Sequence, residues 1–218
     1  MRIALTQRTK NLPDRGETWD CIDQAWTRFL RRCDIDFFLV PNDHSDPVDY
    51  VQSLGGTGLI LSGGGDFSSG IRTRYGLEAA SPVTNALSVT RDRTESALLQ
   101  ASMENAWPVL GVCRGMQVIN LFHGGSLVKV EGHVATAHAL TSVAGSCSFN
   151  LPSQVNSFHD FAVTFESLGK GLIPQALAGV YVEAFSHADY RHFGIMWHPE
   201  RNTVFVDEDV KLFRDFFN

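Results

Sequence analysis

The sequence of 218 residues lacks any apolar stretch long enough to span a membrane, and only three consecutive apolar residues follow the first two positions. This start does not fit a secretory signal, so we expect a cytoplasmic protein that makes no membrane contact. The chain also lacks a basic excess. Its formal net charge of −6 gives no electrostatic reason to expect a nucleic-acid partner.

Cysteine is scarce and scattered, and no Cys-x-x-Cys pair occurs. This spacing favours neither a zinc site nor a disulfide framework, and it suits a reducing compartment. Internal repeats and low-complexity linkers are also missing. We therefore expect one domain over residues 1–218. The cysteines are Cys21, Cys33, Cys113 and Cys147.

Short apolar runs alternate with helix-like patterns in the first two thirds of the chain, which predicts an α/β fold with a mainly parallel central sheet covered by helices on both faces. The strand-like runs are residues 3–5, 37–40, 59–61 and 109–112, and the helix-like segments are residues 18–33, 46–54 and 94–107. The last third predicts antiparallel additions at the sheet edge and a closing helix. These segments are residues 139–143, 161–165, 180–185 and 193–197, followed by the helix at 210–217.

One of the strand-like runs ends at Cys113, and a helix-like segment follows it. Gly111 and Gly115 flank the cysteine and suit a sharp strand-to-helix turn, because a missing side chain lets the backbone bend and pack closely. At a helix N-terminus beside Arg114, the thiol favours its thiolate form, which is the nucleophile. For an isolated cysteine, a buried structural role is the alternative.

A second strand-like run ends in His198, and Glu200 follows two positions later. Residues i and i+2 of an extended chain share one face, so the carboxylate can orient the imidazole and stabilise its charge. A single His-x-Glu is weak evidence. Together with a cysteine at another strand end, it predicts a catalytic triad of Cys113, His198 and Glu200.

With these motifs the sequence resembles the class I glutamine amidotransferase family. The glycine-rich turn would correspond to the family's oxyanion loop, and the resemblance follows the whole chain in order. It implies a flavodoxin-like three-layer fold. The matching motifs are Ser62-Gly63-Gly64-Gly65-Asp66, Gly111-x-Cys113-x-Gly115-x-Gln117 and His198-x-Glu200.

Within that family, the Arg after the nucleophile resembles the γ-glutamyl hydrolase-like branch, peptidase C26. That branch commonly reads Asn-Ser-x-His-His-Gln, whereas this chain has Asp160 and Phe161 at the last two positions. The difference argues against glutamylated polyamine products and folates as substrates. Residues 5–8 and 195–201 look more like γ-glutamyl-CDP-amidate hydrolases of bacterial capsule phosphoramidate synthesis. Three other stretches fit the branch: Arg91-Asp92-x-x-Glu95, Gly124-Gly125 and Val155-Asn156-Ser157-x-His159.

The resemblance also implies roles for residues around the triad. The backbone amides of Gly64 and Arg114 would stabilise the oxyanion of the reaction. We expect Gln117 and the backbone of Asn156 and Ser157 to hold the glutamyl group, with His159 lining the pocket.

The implied reaction is cysteine-dependent hydrolysis of a small-molecule γ-glutamyl amide, which releases glutamate and requires no cofactor. Three alternatives remain open. The chain could be a glutaminase subunit that delivers ammonia to a partner synthetase, a γ-glutamyl-γ-aminobutyrate-type hydrolase, or a binding module without catalysis. A monomer and a homodimer are both compatible with the sequence.

Two further residue sets have weaker signals. His133 and His138 lie five positions apart near Glu131, but the polar context favours a surface loop, and no further ligand is spaced to complete a metal site. We therefore expect no metal. A nucleotide-bearing leaving group would call for basic or aromatic side chains, and the candidates are Arg72, Arg74, Tyr75, Arg91 and Arg201.

Overall fold

The computed structural model describes residues 1–74, 82–143 and 149–218. Cys147 and Tyr75 lie outside these ranges, and the side chain of Arg74 is not described. The helices are α1 (Gln24–Arg32), α2 (Pro47–Ser53), α3 (Ser69–Arg74), α4 (Pro82–Asn105), α5 (Arg114–Phe122) and α6 (Asp207–Phe217). The strands are β1 (Arg2–Thr6), β2 (Arg8–Leu12), β3 (Glu17–Cys21), β4 (Asp36–Val40), β5 (Gly58–Leu61), β6 (Val109–Val112), β7 (Val128–Lys129), β8 (Val134–Ala139), β9 (Thr141–Ser142), β10 (Gln154–Phe158), β11 (Phe161–Ala162), β12 (Leu172–Ala178), β13 (Tyr181–His187) and β14 (His192–Ile195).

The central sheet has eight strands in the order β4-β1-β5-β6-β14-β13-β12-β9. The five strands from β4 to β14 are parallel to one another. From β14 onward each neighbour is antiparallel. The mainly parallel sheet with antiparallel additions is therefore confirmed, and β14 is the strand at which the direction changes.

Apolar side chains cover both faces of this sheet, which makes the fold three-layered. On one face, Phe29 of α1 and Phe213 of α6 are fully buried and meet edge to face at 4.8 Å. On the other face, Leu98 of α4 and Ile119 of α5 pack in a second core. Burying one such side chain contributes about 1.5–3 kcal/mol before entropy is counted.

The helix predicted for residues 18–33 is wrong in its first half. Residues 17–21 form strand β3, which pairs with β2 as an antiparallel hairpin, and Trp19 is 47% exposed there. The helix begins only after Asp23, whose carboxylate caps it by accepting the Ala25 amide. The helical spacing that starts at Trp19 is therefore fortuitous, and the true amphipathic face begins at Trp26.

Other boundaries also differ from the predictions. Helix α4 begins at Pro82, twelve residues before the predicted start at 94. In the back third, the run at 161–165 gives only the two-residue strand β11 and then a 3-10 turn, and β12 was not predicted. Within the described ranges, no helix combines the length and apolarity needed to cross a membrane.

Candidate active site

The sharp turn expected at Cys113 is present between β6 and α5. Cys113 adopts φ 52° and ψ −105°, a left-handed backbone conformation that is rare for a residue with a side chain. Its amide donates to the Ile195 carbonyl at 2.8 Å, which ties the turn to β14. Such strain persists only where surrounding contacts enforce it, and it is common at nucleophile turns.

Gly115 is required at this turn because helix α5 packs directly against β5. A Cβ at Gly115 would lie 2.0 Å from the Leu61 carbonyl oxygen, a distance that backbone atoms cannot accommodate. The glycines around the nucleophile therefore permit close packing of the helix on the sheet, as the sequence predicted.

His198 and Glu200 follow β14 at the same edge of the sheet. His198 Nδ1 lies 2.7 Å from Glu200 Oε1, and both side chains are almost fully buried. Nε2 makes no hydrogen bond of standard geometry to any described residue. His198 and Cys113 line one cavity and both border Gly63, so the three predicted triad residues come together.

The charge state of His198 follows from this setting. Burial alone would lower the pKa of His198, but the charge of the neighbouring Cys113 and the hydrogen bond to Glu200 outweigh it and raise that pKa to about 9. At neutral pH the imidazolium form is therefore favoured next to the sulfur. This form can donate a proton to a leaving group.

Asn156 fixes the backbone of His198. Its side chain accepts the His198 amide at 2.9 Å and donates to the His198 carbonyl at 2.7 Å. The Ser157 hydroxyl donates to the His133 carbonyl at 2.6 Å. Neither residue lines the cavity, so the side chains have positioning roles, and the expected role of the Asn156 and Ser157 backbone in substrate binding stays a prediction.

The glycine-rich turn after β5 forms one wall of the cavity, with Gly64 and Gly65 in left-handed conformations at φ 76° and 82°. Buried arginines bind its carbonyl groups. Arg91 donates to the Ser62 carbonyl at 2.6 Å and to the Gly64 carbonyl, and Arg114 donates to the Asp66 carbonyl at 3.3 Å. The two arginines thus fix the conformation of the glycine-rich turn, which preorganises its amides.

The structure corrects the role expected for the Arg114 side chain. Its guanidinium binds the carboxylates of Asp92 and Glu95 on α4 and lies over the Phe67 ring, with only 2% of the residue exposed. Two carboxylates therefore compensate the charge that was expected to favour the Cys113 thiolate. The Arg114 amide, in the first turn of α5, has no intrahelical acceptor and suits the predicted oxyanion role.

The cavity has a volume of about 300 Å³, and its lining includes Cys113 and His198 together with aromatic and charged side chains at the rim. Gln117 reaches it from α5 while its amide donates to the Phe161 carbonyl at 2.9 Å. His159 also lines it, as predicted. The rim residues are Phe158, Asp160, Phe161 and Arg201.

The nucleotide-binding candidates separate into two groups. Arg91 is 1% exposed and paired with Glu95 at 2.9 Å, so that expectation is wrong for Arg91. Arg72 stands over the Phe161 ring at 5.6 Å, but it is paired with Asp66 at 2.6 Å and does not line the cavity. Arg201 lines the cavity and stands over the Phe158 ring at 4.6 Å, so it remains a candidate.

The histidines at 133 and 138 do not lie in a plain surface loop. Strand β8 carries His138 and pairs with β10, and the two rings lie 5.0 Å apart. His159 and Glu183 complete the group, so the expectation that no further ligand is available is wrong. One signal was visible in the sequence: Glu183 is a single carboxylate within the apolar run 180–185.

Comparison with known proteins supports the assignment reached from the residues. The profile of the peptidase C26 family matches residues 3–200. The γ-glutamyl-CDP-amidate hydrolase of Campylobacter jejuni is 30% identical over 221 residues, covering 100% of this chain and 98% of that protein. One of the subunits of the glutamine-hydrolysing GMP synthase of Methanospirillum hungatei is 30% identical over 196 residues, covering 88% of this chain and 86% of that protein.

Solved structures agree on the fold. A glutamine amidotransferase from Thermotoga maritima superimposes with a TM-score of 0.62 at 14% identity, covering 98% of this chain and 82% of that chain. At this identity the likeness speaks for the fold alone. The profile match and the full-length relative together show that the chain belongs to the peptidase C26 family, with a class I glutamine amidotransferase fold.

Proposed function

We propose that this protein is a cysteine-dependent hydrolase that cleaves a γ-glutamyl amide bond and releases glutamate. The observation that carries the proposal is the convergence of Cys113 and His198 in one cavity, with the cysteine on a strained turn and Glu200 hydrogen-bonded to His198. Family membership supports amide hydrolysis as the reaction class. The γ-glutamyl specificity is the finer part of the proposal.

In the first half-reaction the Cys113 sulfur attacks the γ-carbonyl carbon and forms a C–S bond. The carbonyl oxygen becomes an oxyanion, for which the Gly64 and Arg114 amides are the proposed donors. Losing one such donor typically costs about 100-fold or more in rate. The His198 imidazolium then gives its proton to the nitrogen, the C–N bond breaks, and the amine leaves.

The second half-reaction is hydrolysis of the resulting thioester. The now neutral His198 removes a proton from water, whose oxygen attacks the thioester carbonyl. The C–S bond breaks, glutamate departs, and the imidazolium faces the thiolate again. Water is the only co-reactant, so no cofactor enters the proposed cycle.

We propose a nucleotide-bearing leaving group of the γ-glutamyl-CDP-amidate type. The Arg201–Phe158 pair at the cavity supports it, since an aromatic face can stack on a base and a guanidinium can bind phosphate. Asp160 and Phe161 stand where the branch commonly has His and Gln, so the rim chemistry differs at the leaving-group side. The name of the Campylobacter jejuni relative points the same way, and a capsule phosphoramidate role follows from it as part of the proposal.

A glutaminase subunit is the second candidate, favoured by the 30% identity to the Methanospirillum hungatei GMP synthase protein. It would perform the same half-reactions on glutamine and pass ammonia to a partner synthetase. The two candidates differ in leaving group and in the need for a partner.

A substrate panel on the purified chain separates them. The panel compares a γ-glutamyl-CDP-ethanolamidate-type compound, γ-glutamyl-γ-aminobutyrate and glutamine, with glutamate release as the readout. We expect kcat/KM to be highest for the CDP compound without any added protein. Comparable rates on all three would defeat the narrow specificity, and glutamine hydrolysis that requires a partner protein would defeat the stand-alone hydrolase.

The variant Arg201→Met provides a matched test of the rim. It should raise KM for the CDP compound and leave KM for glutamine unchanged, because glutamine has no phosphate to reach Arg201. An equal rise in KM for both substrates would mean that Arg201 acts through the proposed triad instead, because its Nε lies 3.7 Å from Glu200 Oε1.

A further inference from the structure

A cluster of three histidines and one glutamate lies between the β8–β10 hairpin and the central sheet. His133 precedes β8, His138 lies on β8, His159 follows β10, and Glu183 lies on β13. One ligand atom each of His133, His159 and Glu183 lie within 4.8 Å of one another. The proposed hydrolysis does not use His133, His138 or Glu183. The cluster therefore needs its own explanation.

The polar atoms of this cluster are buried and lack hydrogen bonds. Glu183 is 1% exposed and His159 is 3% exposed. Both Glu183 oxygens and one ring nitrogen of each histidine have no hydrogen-bond partner among the described residues. Leaving a buried polar group unpaired costs about 1–3 kcal/mol, and more for a charged one, so such a concentration indicates a missing ligand.

The protonation state of His159 narrows the nature of that ligand. Its Nδ1 lies 3.0 Å from the Phe161 carbonyl, which can only accept, so Nδ1 carries the proton. In the neutral ring the Nε2 lone pair then faces the Glu183 carboxylate at 3.5 Å. Two electron-rich groups at this separation require a cation between them or a second proton on the ring.

A metal ion explains the arrangement better than extra protons. His138 Nε2 lies 3.2 Å from Glu183 Oε2, yet neither this contact nor the one from His159 has hydrogen-bond geometry. Zn²⁺ binds His nitrogen and carboxylate oxygen at about 2.0–2.2 Å, which places tetrahedral ligands about 3.4 Å apart. The separation of 3.5 Å between His159 Nε2 and Glu183 Oε1 is close to that edge length, and His138 Nε2 lies 3.2 Å from the other carboxylate oxygen.

The hydrogen bond between His159 Nδ1 and the Phe161 carbonyl is the kind of outer contact that orients metal-binding histidines.

We propose that His133, His138, His159 and Glu183 form a binding site for one divalent transition-metal ion, with Zn²⁺ as the reference ion. The ion would tie the hairpin to β13 beside the cavity, since His159 contributes to both the cluster and the cavity wall. His133 and His138 are the partly exposed members of the set, whereas His159 and Glu183 are buried. This site is independent of the proposed hydrolysis.

Zn²⁺ titration of the full chain tests the site directly. The Cys113→Ala protein is used, so that the catalytic thiol cannot bind the metal. After dialysis against chelator, calorimetry should show one Zn²⁺ per chain, and the melting temperature should rise with Zn²⁺ concentration. Absence of saturable uptake would overturn the proposal.

Variants and crystallography locate the ion. Glu183→Gln and His138→Gln should each raise the Kd by about 100-fold or more, because even outer-contact changes cost 10- to 100-fold. His44→Gln, a histidine in the loop before α2, is the matched control and should bind as the parent does. Unreduced affinity in both cluster variants, or an anomalous zinc peak elsewhere in a crystal, would refute the site.

Discussion

Two buried polar regions flank the candidate active site, and they differ in how completely their groups are paired. Behind the nucleophile, Arg91 and Arg114 bind Glu95, Asp92 and backbone carbonyls, so each charge has a partner. In the hairpin cluster, both oxygens of Glu183 and three ring nitrogens have no hydrogen-bond partner among the described residues, although His138 and His159 lie 3.2 and 3.5 Å from the Glu183 oxygens. The first region is therefore complete without a ligand, whereas the second is not.

This difference distinguishes buried polar groups that stabilise the fold from buried polar groups that bind a ligand or take part in chemistry. A fully satisfied network rigidifies its surroundings, and here it holds the glycine loop. Unsatisfied groups indicate a bound partner, and Nε2 of His198, which the proposed mechanism uses, belongs to this second type. The comparison predicts that changes in the paired network act on stability, and that changes at the unpaired groups act on chemistry or ligand binding.

The largest expected effect is on chemistry. Cys113→Ala should reduce glutamate release by about 10⁴-fold or more, because the covalent step has no other nucleophile. Its circular dichroism spectrum and melting curve should match the parent. Cys21→Ala is the matched control, since Cys21 does not line the cavity, and it should retain activity. Equal activity in the two variants would remove the proposed nucleophile.

The paired network should show the largest effect on folding. Arg114→Met leaves Asp92 and Glu95 buried without their shared cation, and removing one partner of a buried pair costs about 3–5 kcal/mol. Urea denaturation measures the free energy of unfolding. Arg201→Met, at the rim, should change it by about 0.5 kcal/mol or less. Similar values for the two variants would mean that the network does not stabilise the fold.

The pH dependence of the catalytic pair provides a smaller effect. The pKa of His198 is raised to about 9, so kcat/KM should fall as the pH rises through about 9 and the imidazolium is lost. Glu200→Gln removes a negative charge that supports this proton, so the descending limb should move to lower pH. A limb that stays in place in the variant would separate Glu200 from the titrating group.

The smallest effect is expected for Glu183→Gln in chelator-treated protein at pH 8, where a free imidazole is neutral. The amide removes a buried charge whose contacts with His138 and His159 lack hydrogen-bond geometry, so the free energy of unfolding should change by about 1 kcal/mol or less. Glu95→Gln is the matched change in the paired network, and we expect a loss of about 3 kcal/mol or more. Equal losses would contradict the contrast between the two regions.

Much of the fold could be predicted because its signals are local. The four parallel strands of the first two thirds are short apolar runs, and α2 and α6 lie where their patterns indicated. The β2–β3 hairpin was missed because Trp19 and Ile22 mimic helical spacing while pairing sets their true conformation. Exposed strands such as β3 have weak patterns, since neither face is buried.

The candidate site also has some features that the sequence predicts and others that it does not. Strand ends identify Cys113 and His198, because parallel strands bring their carboxyl ends to one edge. The partners of Arg114 could not be inferred, since the same sequence permits a guanidinium beside the thiol or one buried against α4. The hairpin cluster joins residues up to 50 positions apart through strand pairing, which spacing along the chain does not reveal.

The most direct test of the central claim is to trap the acyl-enzyme. The protein is mixed with a γ-glutamyl amide, quenched in acid within the first turnover and digested, and the peptides are weighed by mass spectrometry. We predict a glutamyl thioester on the peptide that contains Cys113, absent from Cys113→Ala. Glutamate release without an adduct on Cys113, or an adduct on another residue, would contradict the account.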